Sequence, residues 1–367
     1  MPLIDQYLHQ LLDREGSDLH LSIGTPIRAR ISGAIKNLDD TPLTADRLTR
    51  MLKELCKSDK WAEFKTSKEL DFAYGIETGD RFRANFFYNH WGIAAVLRLI
   101  PAEIKSFKTL ALPEVIQTLC FARSGLVFVT GPTGSGKSTT LAAMIDLINE
   151  QCRKHIITIE DPVEFVHTNK ESVIVHREVG EHCHSFAAAL NGAMRADPDI
   201  LLVGEMRDAE TIRLALNCAS MGMLVFGTLH TNNAPMTIDR VIDAFPSDEQ
   251  NQVRTMLGAS LNGVISQILC KKISGGRIAA HEILLQHDAL PNCIRSGKIS
   301  RIRQIIEGSM QQGMITMDAS LERLLKAQQI SAQEAYMKAT NKSIFEKHMQ
   351  QANKAQRLGN FPQGYEI

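Results

Sequence analysis

Residues 131–138 read Gly-Pro-Thr-Gly-Ser-Gly-Lys-Ser, a complete G-x-x-x-x-G-K-[ST] string. Gly131, Gly134 and Gly136 let the main chain curl so that its N–H groups point inward, and such a loop cradles the oxygens of a phosphate chain. The intervening Pro132, Thr133 and Ser135 complete the loop. Lys137 reaches the β and γ phosphates in this arrangement, and the Ser138 hydroxyl is a ligand for Mg²⁺. With Thr139 these residues open a helix, whose N-terminus adds positive potential. The motif requires a strand before it and a helix after it. LVFV (126–129) and STTLAAMIDLINEQ (138–151) supply both, which argues against a chance glycine turn.

Three more strand-sized apolar runs follow: IITI (156–159), ILLV (200–203) and LVFGTL (224–229). Each ends in a polar residue, and ligands of open α/β sheets gather at the carboxyl ends of strands. The first runs into Glu160-Asp161-Pro162-Val163-Glu164, the second into Gly204-Glu205, the third into His230. A carboxylate beside a nucleotide can orient Mg²⁺ or polarise the attacking water. The same carboxylates can instead cap helix N-termini, and Asp161-Pro162 is also a turn initiator. His230 admits two readings, a γ-phosphate sensor or a hydrogen-bonded structural histidine. Upstream lie Arg81, Arg83 and Arg98. An arginine can meet the charge that develops in phosphoryl transfer, often from a neighbouring subunit, or can belong to a solvated face. Arg81 and Arg83 alternate and so share a strand face. His182, Cys183 and His184 lack a further ligand nearby, which argues against a metal there.

The elements that must position these groups fall into two patterns. Up to residue 100, a helical face at 3–14 (Leu3, Ile4, Leu8, Leu11, Leu12) precedes alternating runs at 19–23, 27–31, 70–76, 82–88 and 93–99. Thr44 is placed to cap a helix carrying Leu48, Met51, Leu52 and Leu55. This predicts a small α+β domain with an antiparallel sheet. Pro101 and Pro113 bracket a linker, 101–113. From 114 to 345 the buried strands alternate with helices, which predicts an α/β fold with a parallel sheet covered on both faces. Beyond Phe245-Pro246, the residues Val253, Leu257, Leu261, Val264, Ile265 and Ile268 share a helical face and predict one helix. A strand, RIAAHEILL (277–285), and further helices follow. Residues 346–367, rich in Gln, Asn and Lys, read as a mobile tail.

Composition narrows the partners. The 367 residues carry 41 Lys plus Arg and 41 Asp plus Glu, so no global charge draws the chain to nucleic acid or anionic membrane. The 7 cysteines are odd in number and include no C-x-x-C pair, which predicts reduced thiols in a cytoplasmic protein. No apolar run approaches the ~20 residues of a membrane-spanning helix, so membrane contact is expected only through partners.

GPTGSGKST (131–139), TIEDPVEF (158–165), DPDILLVGEMRD (197–208) and HTNNAPMTIDRVIDAFP (230–246) resemble, in order, the Walker A, Asp, Walker B and His boxes of the type II/IV secretion ATPases. GSDLHLS (16–22), RFRANFF (81–87) and GGRIAAHEIL (275–284) resemble the same family's other segments. The chain is too short for the long N-terminal region of assembly and secretion ATPases and lacks their tetracysteine insert. It therefore resembles the pilus retraction (PilT/PilU) branch. The resemblance implies a PAS-like domain over 1–100 and a RecA-like P-loop ATPase domain with C-terminal helices over 114–345. It implies ATP and Mg²⁺ as ligands, Glu205 as a Mg²⁺ or catalytic carboxylate, Glu160 and Glu164 near the γ-phosphate, and a role for Arg81, Arg83 and Arg98, with Arg240 a weaker candidate. It also implies a homohexameric ring in the cytoplasm. That ring would act on an inner-membrane pilus platform protein, alone or beside a paralogous retraction ATPase. An accessory ring subunit and a secretion or DNA-uptake ATPase are the alternatives. The chain departs from the branch at Pro291 and Ser296, where arginine and glutamate are usual, and at Asn191 and Ala196, where Arg and Glu are common.

Overall fold

Alternation through the first hundred residues produces an antiparallel sheet with one covered face. Its strands are β1 (Gly16–Ser22), β2 (Arg28–Ile31), β3 (Ala34–Asn37), β4 (Glu69–Gly75), β5 (Arg81–Asn89) and β6 (Gly92–Ile100), in spatial order β3-β2-β1-β6-β5-β4. Period-2 geometry sends Leu19 and Leu21 of β1, Phe82, Ala84 and Phe86 of β5, and Ala95 and Leu97 of β6 into one core. Helices Asp5–Asp13, Ala45–Lys53 and Ser58–Ser67 contribute Leu8, Leu11, Met51, Leu52 and Phe64 to it. The Thr44 hydroxyl accepts the Arg47 N–H at 3.2 Å, the cap its position predicts. The sequence reading held no element at Ser58–Ser67.

This computed structural model describes residues 2–100 and 103–357. By contacts the chain divides into two units, Met1–Glu103 with Asp161–Val166, and Ile104–Glu160 with His167–Ile367. Pro101 and Ala102 of the expected linker lie outside the described residues, and 103–113 forms neither strand nor helix.

The larger unit is built on a 7-stranded sheet. Its strands are β7 (Gly125–Thr130), β8 (His155–Glu160), β9 (Val173–Glu178), β10 (Ile200–Val203), β11 (Leu224–Leu229), β12 (Leu261–Lys271) and β13 (Arg277–Leu285), ordered β13-β12-β7-β11-β10-β8-β9. Only the β12–β13 pairing is antiparallel. Leu126 and Phe128 of β7 enter one apolar cluster and Val127 and Val129 the other, and β10 divides in the same way. A sheet buried on both faces reads as a continuous apolar run, which is why these strands stood out in the sequence. Helix Lys137–Gln151 covers one face. Helices Phe186–Ala193, Ala209–Ser220, Ala234–Asp243 and Gln250–Ser260 cover the other. The connections that leave β7 and β11 therefore run over opposite faces, which makes the carboxyl ends of these neighbours the topological switch point of the sheet.

Two expectations are corrected. The single helix expected through Val253–Ile268 is helix Gln250–Ser260 followed at once by β12. Val264 and Ile265 enter opposite clusters, so the run is apolar on both faces and gives no alternation to separate strand from helix. The change occurs between Ser260 and Leu261, and Asn262 and Gly263 fix the start of the strand. Asn262 Nδ2 donates to the Ser124 carbonyl at 2.6 Å, and a Cβ on Gly263 would lie 2.9 Å from the Leu284 oxygen. The second correction concerns residues 346–357. Composition predicts a tail there, but these residues belong to helix Ser343–Arg357, which Phe345 anchors in a cluster with Cys270, Ala280 and Leu321. Residues 358–367 of that expected tail lie outside the described residues. The edge strand β9 was also not anticipated, because Val173 and Val175 are its exposed apolar positions and invert the usual pattern.

Gly263→Ala tests the close approach of β12 and β13. The added methyl group presses on a main-chain oxygen and on Leu119, so a loss of about 1–3 kcal/mol is expected in urea unfolding. An unchanged midpoint would show that the sheet has room there.

Candidate functional site

The loop after β7 turns because its glycines occupy backbone regions closed to other residues. Gly131, Gly134 and Gly136 have φ of 142°, 76° and 88°. A Cβ on Gly131 would sit 2.2 Å from the Gln267 main-chain oxygen, so the residue type is fixed by space as well as by torsion. Gly136 is the N-cap of helix Lys137–Gln151 and gives no side-chain cap. Lys137 folds back so that Nζ donates to the carbonyls of Gly131 at 3.0 Å and Pro132 at 3.3 Å. Pro132, Thr133 and Gly134 are exposed, and Lys137, Ser138 and Thr139 are half-buried. The loop thus offers main-chain donors, one ammonium group and hydroxyl groups at the open end of the sheet.

The neighbouring strands deliver the polar residues beside this loop. Gly131 N–H donates to the Leu229 carbonyl at 3.3 Å, so His230 follows directly at the end of β11. Next in the sheet, β10 leads into Gly204-Glu205, and β8 ends at Glu160. A Cβ on Gly204 would lie 3.2 Å from the Glu160 Cα. Glu205 Oε1 is 2.6 Å from Arg207 Nε and 3.1 Å from His230 Nε2. Burial pushes the Glu205 carboxyl up, but Arg207 and His230 together outweigh it and hold the group below its ordinary range. It is ionised at neutral pH.

The capping alternative does not describe these carboxylates. Helix Ala209–Ser220 is capped by Asp208, which accepts the Thr211 N–H at 2.8 Å, and helix Phe186–Ala193 is capped by Ser185. Helix Ala234–Asp243 is capped by Asn233. Arg240 lies exposed in the last turn of that helix, away from the strand ends. Two features escaped the sequence reading. Arg207 pairs with Glu205 from two residues along the same loop. Ser266 and Gln267 on β12 line the loop: Ser266 Oγ meets Thr130 Oγ1 at 2.7 Å, and Gln267 Nε2 donates to the Ser135 carbonyl at 2.7 Å. The available signal was a Ser-Gln pair inside an otherwise apolar strand.

Arg81, Arg83, Arg98 and Glu164 all fall in the smaller unit, since Asp161–Val166 groups with it. Arg81 Nη1 donates to the Val163 carbonyl at 2.9 Å. Arg83 and Arg98 face each other across β5 and β6, and Asp18 faces Arg98 across β1 and β6. Arg98 Nε donates to Asp18 Oδ1 at 2.7 Å, Arg30 Nε lies 3.6 Å from Asp18 Oδ2, and Arg83 Nε donates to Asp71 Oδ2 at 2.9 Å. These residues form a ladder of charge across five strands, with Arg30, Asp18, Arg98, Arg83 and Asp71 in turn. The hydrogen bonds to Asp71 raise the Arg83 guanidinium above its ordinary range, and the charges of Glu164 and Asp161 add to this.

A family model described as type II/IV secretion system protein matches residues 1–358. The chain is 46% identical over 323 residues to the type IV pilus retractation ATPase PilT of Pseudomonas aeruginosa, across 88% of this chain and 94% of that one. It is 34% identical over 332 residues to the type IV pilus ATPase PilU of the same organism, across 90% and 87%. The crystal structure of the pilus retraction motor PilT with bound ADP has a TM-score of 0.86 to it at 43% identity, covering 95% of this chain and 99% of that one. The larger unit is accordingly a RecA-like ATPase fold and the smaller a PAS-like one. With a match that runs from the first residue almost to the last, the chain belongs to the type II/IV secretion system protein family.

Proposed function

We propose that this chain is a motor ATPase that hydrolyses ATP to drive type IV pilus retraction. The observation that carries the reading is the phosphate-shaped loop at the end of β7 with an ionised, histidine-paired Glu205 two strands away. Main-chain N–H groups of 131–139 bind the phosphates, and Lys137 exchanges its loop carbonyls for β and γ oxygens. The Ser138 hydroxyl and the Glu205 carboxylate are hard oxygen donors of the kind Mg²⁺ takes, so the site fits that ion. Bound there, Mg²⁺ would draw negative charge from the transferring phosphoryl group. Glu205 and Glu160 order the attacking water, His230 holds Glu205 and lies on the γ-phosphate side, and Glu164 adds a carboxylate from the following segment. Arg81, Arg83 or Arg98 meets the charge that builds up in transfer.

The relatives support the cargo. Identity is higher to PilT than to PilU, and both relatives are named for type IV pili. The reading includes a homohexamer that engages an inner-membrane platform protein from the cytoplasmic side. Among the described residues no helix is long and apolar enough to cross a membrane.

A second reading, an accessory ring subunit beside a paralogous motor, is favoured by one observation. Pro291 lies in the first turn of helix Leu290–Arg295 and packs against Gly258, where a Cβ would lie 3.2 Å from the Pro291 oxygen. Ser296 Oγ turns back to the Asn292 carbonyl at 2.7 Å. Neither position offers the charge usual in the branch. A strain stripped of every retraction ATPase and given this chain alone decides between them. Restored twitching and pilus-phage sensitivity are expected, whereas ATPase activity without either would establish the accessory role.

Glu205→Gln removes the anion and keeps the shape. Turnover is expected to fall ~100-fold or more while ATP still binds, read by steady-state ATPase and calorimetry. A wild-type rate would make Glu205 structural. For subunit coupling, Arg81→Ala and Lys137→Ala should each be inactive as pure rings. Mixed rings should recover part of the activity if the arginine serves a neighbour's nucleotide. Absence of recovery in rings verified by mass would place the arginine's action within one chain.

A further inference from the structure

Gln267 is the one amide side chain of β12 that touches the loop, and it is 1% exposed in a strand whose other inward residues are mainly apolar. An amide buried there is costly unless both its ends are bonded. Both are: Nε2 donates to the Ser135 carbonyl at 2.7 Å, and Oε1 accepts from Thr140 Oγ1 at 2.9 Å. Ser135 lies before Lys137 and Thr140 lies in the first turn after it. The side chain therefore spans the turn at which the loop becomes helix. The same residue's main-chain oxygen crowds Gly131 and its Nε2 would lie 3.2 Å from a Cβ on Gly136, so it touches both ends of the loop. Beside it, Ser266 ties Thr130, the last residue before the loop, to β12. A carbonyl held outward at Ser135 is a carbonyl kept out of the cradle, where it would repel phosphate oxygens.

We propose that Gln267 is a positioning residue that sets the phosphate-binding form of the 131–136 loop before nucleotide arrives. This rests on the reading of that loop as the nucleotide site. The chemistry requires an amide: the Ser135 oxygen can only accept, so its partner must donate, while the Thr140 hydroxyl supplies a proton to the other end. A glutamate presents an anion to the Ser135 carbonyl and to the phosphates. A methionine fills the same volume and makes neither bond. Because the loop grips ground state and transition state alike, the loss falls on affinity rather than on the chemical step.

The test uses the full chain as Gln267→Met, Gln267→Glu, Thr140→Val and the Gln267→Met/Thr140→Val pair, with ADP titrated calorimetrically and ATPase followed at steady state. For Gln267→Met, KM for ATP and Kd for ADP are expected to rise ~10-fold, the equivalent of one hydrogen bond. The accompanying loss in kcat is expected to stay under about twofold. Gln267→Glu should bind more weakly still. Thr140→Val, which leaves the amide in place but unoriented, should weaken ADP about threefold, and the pair should be no weaker than Gln267→Met alone. Unchanged ADP affinity with a lowered Tm in Gln267→Met overturns the proposal and makes the residue a core filler. If Gln267→Met does not fold, unchanged ADP affinity in Thr140→Val overturns it equally. Lys137→Ala separates the two levels: full hydrolysis in that variant sinks the reading of the loop itself, whatever Gln267 does.

Discussion

The rest of the structure is arranged around one constraint, a helix N-terminus that must stay uncapped at the end of a buried strand. Helix Lys137–Gln151 begins at Gly136 with no side chain on its first N–H groups. Such donors are costly when withdrawn from water without acceptors, so the end must face an anion or solvent. That demand explains the left-handed glycines, which bend the chain tightly enough to aim successive N–H groups at one point. It also explains the strand order. β7 lies between β11 and β12, so the loop is flanked on one side by His230 and on the other by Ser266 and Gln267.

The two flanks divide the chemistry. On the β12 side the groups are neutral, buried and fully bonded, which suits them to hold a shape. On the β11 and β10 side they are charged and partly open. Glu205 keeps its negative charge because Arg207 and His230 outweigh the burial around it. The same pairing sets a condition on catalysis. In the proposed mechanism Glu205 turns to Mg²⁺ or water, and it is already engaged by a guanidinium at 2.6 Å, so nucleotide binding would compete with or share that contact. Arg207 is 74% exposed, and a solvated arginine can yield its partner at little cost.

Much of this was legible in the sequence, and the physical reasons for the rest are specific. The loop was readable because its residue types are dictated by torsion and space, as at Gly131. The carboxyl-end residues were readable because buried parallel strands are unbroken apolar runs and so show where they stop. The same property hid β12: a strand apolar on both faces carries no period, and Val253 through Ile268 fitted a helix equally well. Gln267 was missed because its importance lies in a bond to Ser135, 132 positions away in the chain. Whether Glu205 was a cap or a site residue needed the location of the helix start, which the structure gives as Asp208.

The arginines show what sequence spacing leaves out. Three guanidinium groups near one another read as a reserve of positive charge for transfer. In the structure, two of them are rungs of a cross-strand ladder with Asp18 and Asp71, and the side chain of Asp18 is only 6% exposed. The hydrogen bonds from Arg98 and Ser17 hold it ionised against that burial. Removing Arg98 therefore strips a buried carboxylate of its best partner, and a fall in activity would mix lost stability with lost chemistry. Arg81 stands outside this ladder and donates through Nη1 to the Val163 carbonyl at 2.9 Å. The ladder beside Arg81 keeps the strand that carries it in register.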